Sequence, residues 1–220
     1  MIETSDAKQK RGIKITLIVI AVFIFAVLAG FMNKITTPRM LNSMELRANG
    51  AFVFDQPRIF KDFALTDHRG QPFSQAQLQG KWTLAFFGFT HCPDICPTTM
   101  AALSKLTGVL DEEVLADTQV VLVTVDPARD TVEKLAEYVP YFNPEFVGLT
   151  GDYIDIKRLA SQLNIAMAKA PNQGEDYSVD HSAYVALINP RGHYHGFFKP
   201  PFEKSRLKLT YLAIRASYKG

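Results

Sequence analysis

Residues 81–125 read KWTLAFFGFTHCPDICPTTMAALSKLTGVLDEEVLADTQVVLVTV. Lys81–Gly88 is a short apolar, aromatic-rich run, the pattern of a buried strand. Gln119–Val125, QVVLVTV, is a second run, rich in β-branched residues, and suits a central parallel strand. Between them Pro97 can open a helix, and TTMAALSKLTGVL follows with apolar residues at helical spacing. Strand, helix, strand in that order is the repeating unit of an α/β sheet.

The same alternation continues outward. Asp126-Pro127 ends the second strand. Thr131–Tyr138 reads as a helix, Phe146–Leu149 as a short strand and Tyr153–Leu163 as a helix. Ala183–Ile188 and His193–Phe198 flank NPRG, which marks a hairpin turn. Phe202–Tyr218 reads as a closing amphipathic helix. Upstream, Phe52–Phe54 and Arg58–Phe60 read as a small hairpin, followed by a strand around Ala64. An order of β-α-β-α, then an antiparallel hairpin and a helix, predicts a mixed sheet with helices on both faces.

The N-terminus has another character. Ile15–Met32, ITLIVIAVFIFAVLAGFM, carries no charge and one hydroxyl. At about 18 residues it is near the lower limit for spanning a ~30 Å hydrocarbon core. It shows no polar face, which argues against a buried core helix, and it is long for the apolar region of a cleaved secretory signal. No lipid-acceptor cysteine follows. The reading is a retained single-pass anchor. Lys8, Lys10, Arg11 and Lys14 precede it closely, so the positive-inside rule keeps residues 1–14 in the cytoplasm. Residues 15–32 are then the transmembrane anchor, 33–50 a polar tether, and 51–220 the domain beyond the membrane. The tail is not an Arg/Ser-rich transit peptide, which points to a bacterial inner membrane with the domain in the periplasm. The domain has about 170 residues, enough to bury roughly 70% of its unfolded surface. A net charge of +2 with dispersed Lys and Arg gives no nucleic-acid surface.

The chain has two cysteines, Cys92 and Cys96, each followed by proline. In open α/β sheets, ligands gather where strands end and helices begin. Cys92 and Cys96 follow one strand and Asp126 follows the next. His181 precedes the 183–188 strand, whose start lies beside those strand ends if it runs antiparallel. A residue before proline is pushed out of the helical region, so both cysteines are expected on a loop, with Cys96 where Pro97 opens the helix. A helix N-terminus favours anions, which predicts a lowered thiol pKa there. A structural disulfide would close too short a loop to gain much. Structural zinc wants four ligands. A dithiol–disulfide couple is chemically natural, although the usual redox motif has two intervening residues rather than three. Copper fits best, because soft thiolates select Cu(I) and an imidazole helps hold Cu(II).

FGFTHCPDICPTTMAAL, VTVDPARDT and DYSVDHSAYVALINPRG together resemble the Sco/SenC family, in family order, and the likeness runs from about Phe63 to the end. The resemblance implies a thioredoxin-like fold, membrane-anchored and outside the cytoplasm, with copper held by Cys92, Cys96 and His181. It implies a metallochaperone that receives copper from a donor chaperone. Its role would be to supply or prepare the binuclear copper site of cytochrome c oxidase subunit II, or another copper-site client. Some family members act instead as thiol–disulfide reductants or redox sensors, with the cysteine pair as a redox-active disulfide. His181 separates the two, since a dithiol reductant has no need of it. Asp126 is expected to tune charge or hydrogen bonding rather than bind soft Cu(I). Among the remaining histidines, His91 is expected to face solvent and His68 to be a turn residue. His193 and His195, at period two, are expected to be an exposed strand pair. Trp82, Phe86, Phe87 and Phe89 are expected in the core and its rim.

Overall fold

The computed structural model describes residues 3–36, 40–169, 177 and 179–218. It divides into two compact units, Met1–Arg39 and Met40–Gly220. In the first unit a helix, α1 (Glu3–Thr36), contains a stretch, Lys10–Met32, long and apolar enough to cross a membrane. At 1.5 Å per residue its 23 residues reach about 34 Å, against a hydrocarbon core of ~30 Å. None of that stretch is buried within the structure.

The second unit opens with a short helix, α2 (Ser43–Ala48), inside the stretch expected as a tether. Asn42 and Glu45 form a capping box there: the Glu45 N–H donates to Asn42 Oδ1 at 2.9 Å, and the Asn42 N–H donates to Glu45 Oε2 at 3.0 Å. The chain then runs through β1 (Ala51–Arg58), β2 (Ala64–Asp67) and β3 (Pro72–Ser74) to β4 (Trp82–Gly88). The alternating region follows: α3 (Ile95–Thr107), α4 (Glu112–Ala116), β5 (Thr118–Thr124), α5 (Val132–Phe142), β6 (Val147–Thr150) and α6 (Tyr153–Gln162). A ribbon, β7 (Met167–Lys169) with β8 (Val179–His181), leads into β9 (Val185–Ile188), β10 (Tyr194–Phe198) and α7 (Lys204–Ser217).

Among the described residues, eight strands form one sheet in the order β1-β10-β9-β4-β5-β6-β2-β3. β4, β5 and β6 are parallel, with Phe86 opposite Leu122 and Val123 opposite Leu149. β9 runs antiparallel to β4, with Val185 opposite Phe86, and the NPRG turn returns it into β10. The expected mixed sheet is therefore present. Every residue of β4 is buried, as befits a strand covered on both faces.

Side-chain parity assigns the faces. Thr83, Ala85 and Phe87 point toward Leu159 and Leu163, at and just beyond the end of α6. On the opposite face, the Cβ positions of Gly88 and Gly148 meet Cys96 of α3 and Leu135 and Val139 of α5. Tyr211 of α7 is fully buried and shares a 2.6 Å hydrogen bond with Thr118 of β5.

Two expectations fail near the edges. The hairpin expected from Phe52–Phe54 and Arg58–Phe60 is a single strand, β1, paired with β10. The polar Asp55-Gln56-Pro57 sequence breaks the register between Val53 and Arg58 without reversing the chain, and an edge strand tolerates that proline. His195 is not exposed: it is buried, edge-on to Trp82 at 5.2 Å and Tyr218 at 5.5 Å. A register shift between Tyr194 and Gly196 breaks the period-two reading. Trp82, Phe86, Phe87 and Phe89 are buried as expected.

Candidate functional site

β4 carries the chain out of the sheet at Gly88, and Phe89–Asp94 lead into α3. Cys92 lies on this turn and is half-buried, while Cys96 is fully buried. Neither is in a disulfide, and the Cys96 backbone N–H donates to Cys92 Sγ at 3.4 Å. α3 begins at Ile95, so Pro97 is its third residue rather than its first, and Cys96 is already helical. The first turn has few spare donors: the N–H of Cys96 serves Cys92, and Pro97 has none. Gly88 makes room for the pair, since a Cβ there would lie 3.0 Å from Cys96 Sγ.

The lowered thiol pKa expected at the helix start is not found at Cys96. Burial pushes this thiol above its ordinary value, and its hydrogen bond with Cys92 adds to the rise. A backbone hydrogen bond at Phe89 opposes it only in part. Desolvation penalises the thiolate more than the helix terminus favours it. Tyr138 of α5 places in the same region a buried hydroxyl with no hydrogen-bond partner among the described residues. Burial raises its phenol, and the charges of Cys96 and Cys92 come next as causes.

The loop after β5 organises these surroundings. Asp130 is fully buried and accepts from the Thr90 N–H at 3.0 Å, the Thr90 hydroxyl at 2.6 Å and the Thr124 hydroxyl at 2.7 Å. It thus ties the cysteine turn to β5. Asp126, also buried, accepts from the Tyr177 hydroxyl at 2.5 Å through Oδ1 and is paired with Arg129 through Oδ2. Arg129 donates to the Tyr177 carbonyl at 2.8 Å and stacks over its ring at 3.8 Å. The Tyr177 phenol is raised by its hydrogen bond to Asp126 first, and by burial next.

The structure thus brings Cys92 and Cys96 together and places Asp126 at the neighbouring strand end, as the sequence suggested. The backbone of His181 ends β8, opposite Met167, and its side chain lies outside the described residues. From there the chain enters β9, whose first residue is opposite Phe86 near the end of β4. His91 is exposed, within 3.1 Å of the Thr90 hydroxyl. His68 is in a turn, but its ring is buried and Nδ1 accepts the Gly148 N–H at 3.0 Å. Sequence reasoning missed Thr90, Arg129, Asp130 and Tyr177. The available signal was a second acid and a base inside VTVDPARDT, beside the cysteine-bearing strand.

A mixed sheet flanked by helices, with a dithiol where a central strand turns into a helix, defines a thioredoxin-like protein. The model of the SCO1/SenC family matches residues 54–210, and the chain belongs to that family. It is 39% identical over 167 residues to a Stutzerimonas stutzeri protein named for copper binding, covering 76% of this chain and 81% of that one. It is 42% identical over 133 residues to the mitochondrial protein SCO2 homolog of Mus musculus, covering 60% of this chain and 52% of that one. The chain thus spans about half the length of that mitochondrial relative. The crystal structure of Arabidopsis thaliana ScoI with copper bound superposes with a TM-score of 0.66 at 35% identity, covering 70% of this chain and 97% of that one.

Proposed function

We propose that this chain is a membrane-anchored copper carrier acting outside the cytoplasm, which takes its cargo through Cys92, Cys96 and His181. Its client is the binuclear copper site of cytochrome c oxidase subunit II or a comparable copper site, and a donor chaperone supplies the ion. The observation that carries this reading is the cysteine pair: two cysteines outside any disulfide at a strand-to-helix turn, the Cys96 backbone N–H donating to Cys92 Sγ. Membership of the family, and copper in the names of relatives, support the metal. The donor set fits, because thiolates select Cu(I) and an added imidazole suits Cu(II). Asp126 has one oxygen engaged by Tyr177 and the other by Arg129, which supports its role as a neighbour rather than a ligand. The apolar stretch of α1, with bases ahead of it, supports a single-pass anchor with residues 1–14 in the cytoplasm, and a periplasmic domain on a bacterial inner membrane.

Loading exchanges a proton from each thiol for the metal, so uptake is linked to pH. His181 then adds a nitrogen donor and favours the oxidised ion. Release proceeds by ligand exchange, each incoming client ligand displacing one donor. A second reading, a thiol–disulfide reductant, draws on the half-exposure of Cys92 against the burial of Cys96, a disposition suited to an attacking and a resolving thiol.

The test is titration of the reduced full chain in detergent with Cu(I) and Cu(II), beside Cys92→Ala, Cys96→Ala and His181→Ala. Each cysteine variant is expected to lose Cu(I) affinity by more than roughly a hundredfold, and His181→Ala to lose chiefly Cu(II). A His181→Ala chain that binds both ions like the parent overturns the ligand set. Rapid reduction of a client disulfide with copper dispensable transfers the function to the second reading.

A further inference from the structure

Resting on the three-ligand reading above, we propose that the loop following β5 is a bracket that sets the spacing between the thiols and His181, with Tyr177 and Arg129 as positioning residues. One side of this loop grips the cysteine turn. Asp130 accepts both the N–H and the hydroxyl of Thr90, two residues before Cys92. The other side grips the chain four residues before His181. Tyr177 is held at two points there, its phenol donating to Asp126 and its carbonyl accepting from Arg129. The Arg129 guanidinium lies 3.8 Å from the Tyr177 ring centroid and 5.9 Å from that of Phe89, on the cysteine turn.

The two grips share one rigid turn. The N–H groups of Arg129 and Asp130 both donate to the Asp126 carbonyl, at 3.2 and 3.0 Å, and the Asp126 N–H donates to the Thr124 hydroxyl at 2.9 Å. The Thr124 hydroxyl itself donates to Asp130. One short stretch of chain therefore fixes where two segments, distant in sequence, stand relative to each other. His181 is tethered through Tyr177, so the local concentration of its imidazole at the sulfurs depends on this hold. Cu(I), satisfied by the two thiolates, needs the hold little. Cu(II), which needs the imidazole, depends on it.

The experiment uses the full chain in detergent and compares the parent, Tyr177→Phe, Arg129→Gln and His181→Ala. Tyr177→Phe keeps the ring and the carbonyl and removes only the phenol hydrogen bond. Cu(I) and Cu(II) affinities are measured with the thiolate-to-Cu(II) charge-transfer band as the spectroscopic signature. Amide hydrogen exchange at Val179–His181 is followed in the metal-free chain. The expected result is an about tenfold or greater loss of Cu(II) affinity in both positioning variants, with Cu(I) affinity within about threefold of the parent. Faster exchange at Val179–His181, with circular dichroism unchanged, accompanies it. Equal losses for both ions, or parent-like behaviour of Tyr177→Phe while His181→Ala loses Cu(II), overturns the bracket alone. Parent-like behaviour of His181→Ala overturns the ligand reading beneath it.

Discussion

At Gly88 a Cβ would lie 3.0 Å from Cys96 Sγ and 2.8 Å from the Phe86 ring, with Leu122 at 3.4 Å. All three neighbours are fully buried, so none can swing aside. Gly88→Ala is expected to destabilise the fold by about 1–3 kcal/mol, measured by urea unfolding, because overpacking a filled interior forces strain. Asp130→Ala leaves the Thr90 N–H without its acceptor. A loss of about 2–3 kcal/mol is expected by the same measurement, hydrogen bonds to charged groups being the stronger kind. The cysteine pair was legible in the sequence, since two thiols and two prolines leave few geometries. Asp130 was not, because its bonds to Thr90 join residues 40 positions apart and leave no local pattern. Nor was the state of the Cys96 thiol. The helix terminus is visible in sequence, but the burial that overrides it depends on α3 packing against the sheet.

Elements were read with uneven success for a common reason. β4 and β5 are continuous apolar runs and fall within a residue or two of their expected bounds. α5 was recognisable from its start, where Thr131 caps the helix through the Lys134 N–H at 3.3 Å. It runs further than expected, to Phe142, with Pro140 inside it. Thr131→Ala is expected to lower thermal stability by about 1 kcal/mol, the usual worth of an N-cap. Short elements carried too little signal: β3, β7 and β8 have three residues each, and no periodicity can be read from so few. The error at β1 and the one at His195 both come from irregular register, which a strict period of two does not anticipate.

Over the whole molecule, two buried histidines couple stability to pH. Burial lowers the pKa of both His68 and His195 below the ordinary value of 6.5. The unfolded chain therefore binds more protons than the folded one in this range, and stability rises with pH. Stability is expected to be fully present above about pH 6.5 and to fall as acid takes the pH through the lower folded values. Urea midpoints across this range check the trend, and His195→Phe should flatten part of it. The architecture was largely legible because the alternation of strands and helices permits few sheets, and the apolar stretch of α1 declares itself by length. The spatial relation of the thiols to His181 was legible only as topology, through β9 entering beside β4. X-ray absorption on the copper-loaded full chain tests that relation most directly. With Cu(II) as the loaded ion, two sulfur donors and one imidazole per copper are predicted, the imidazole signal disappearing in His181→Ala. A sulfur-only shell in the parent, or an imidazole signal that survives in His181→Ala, would contradict the account.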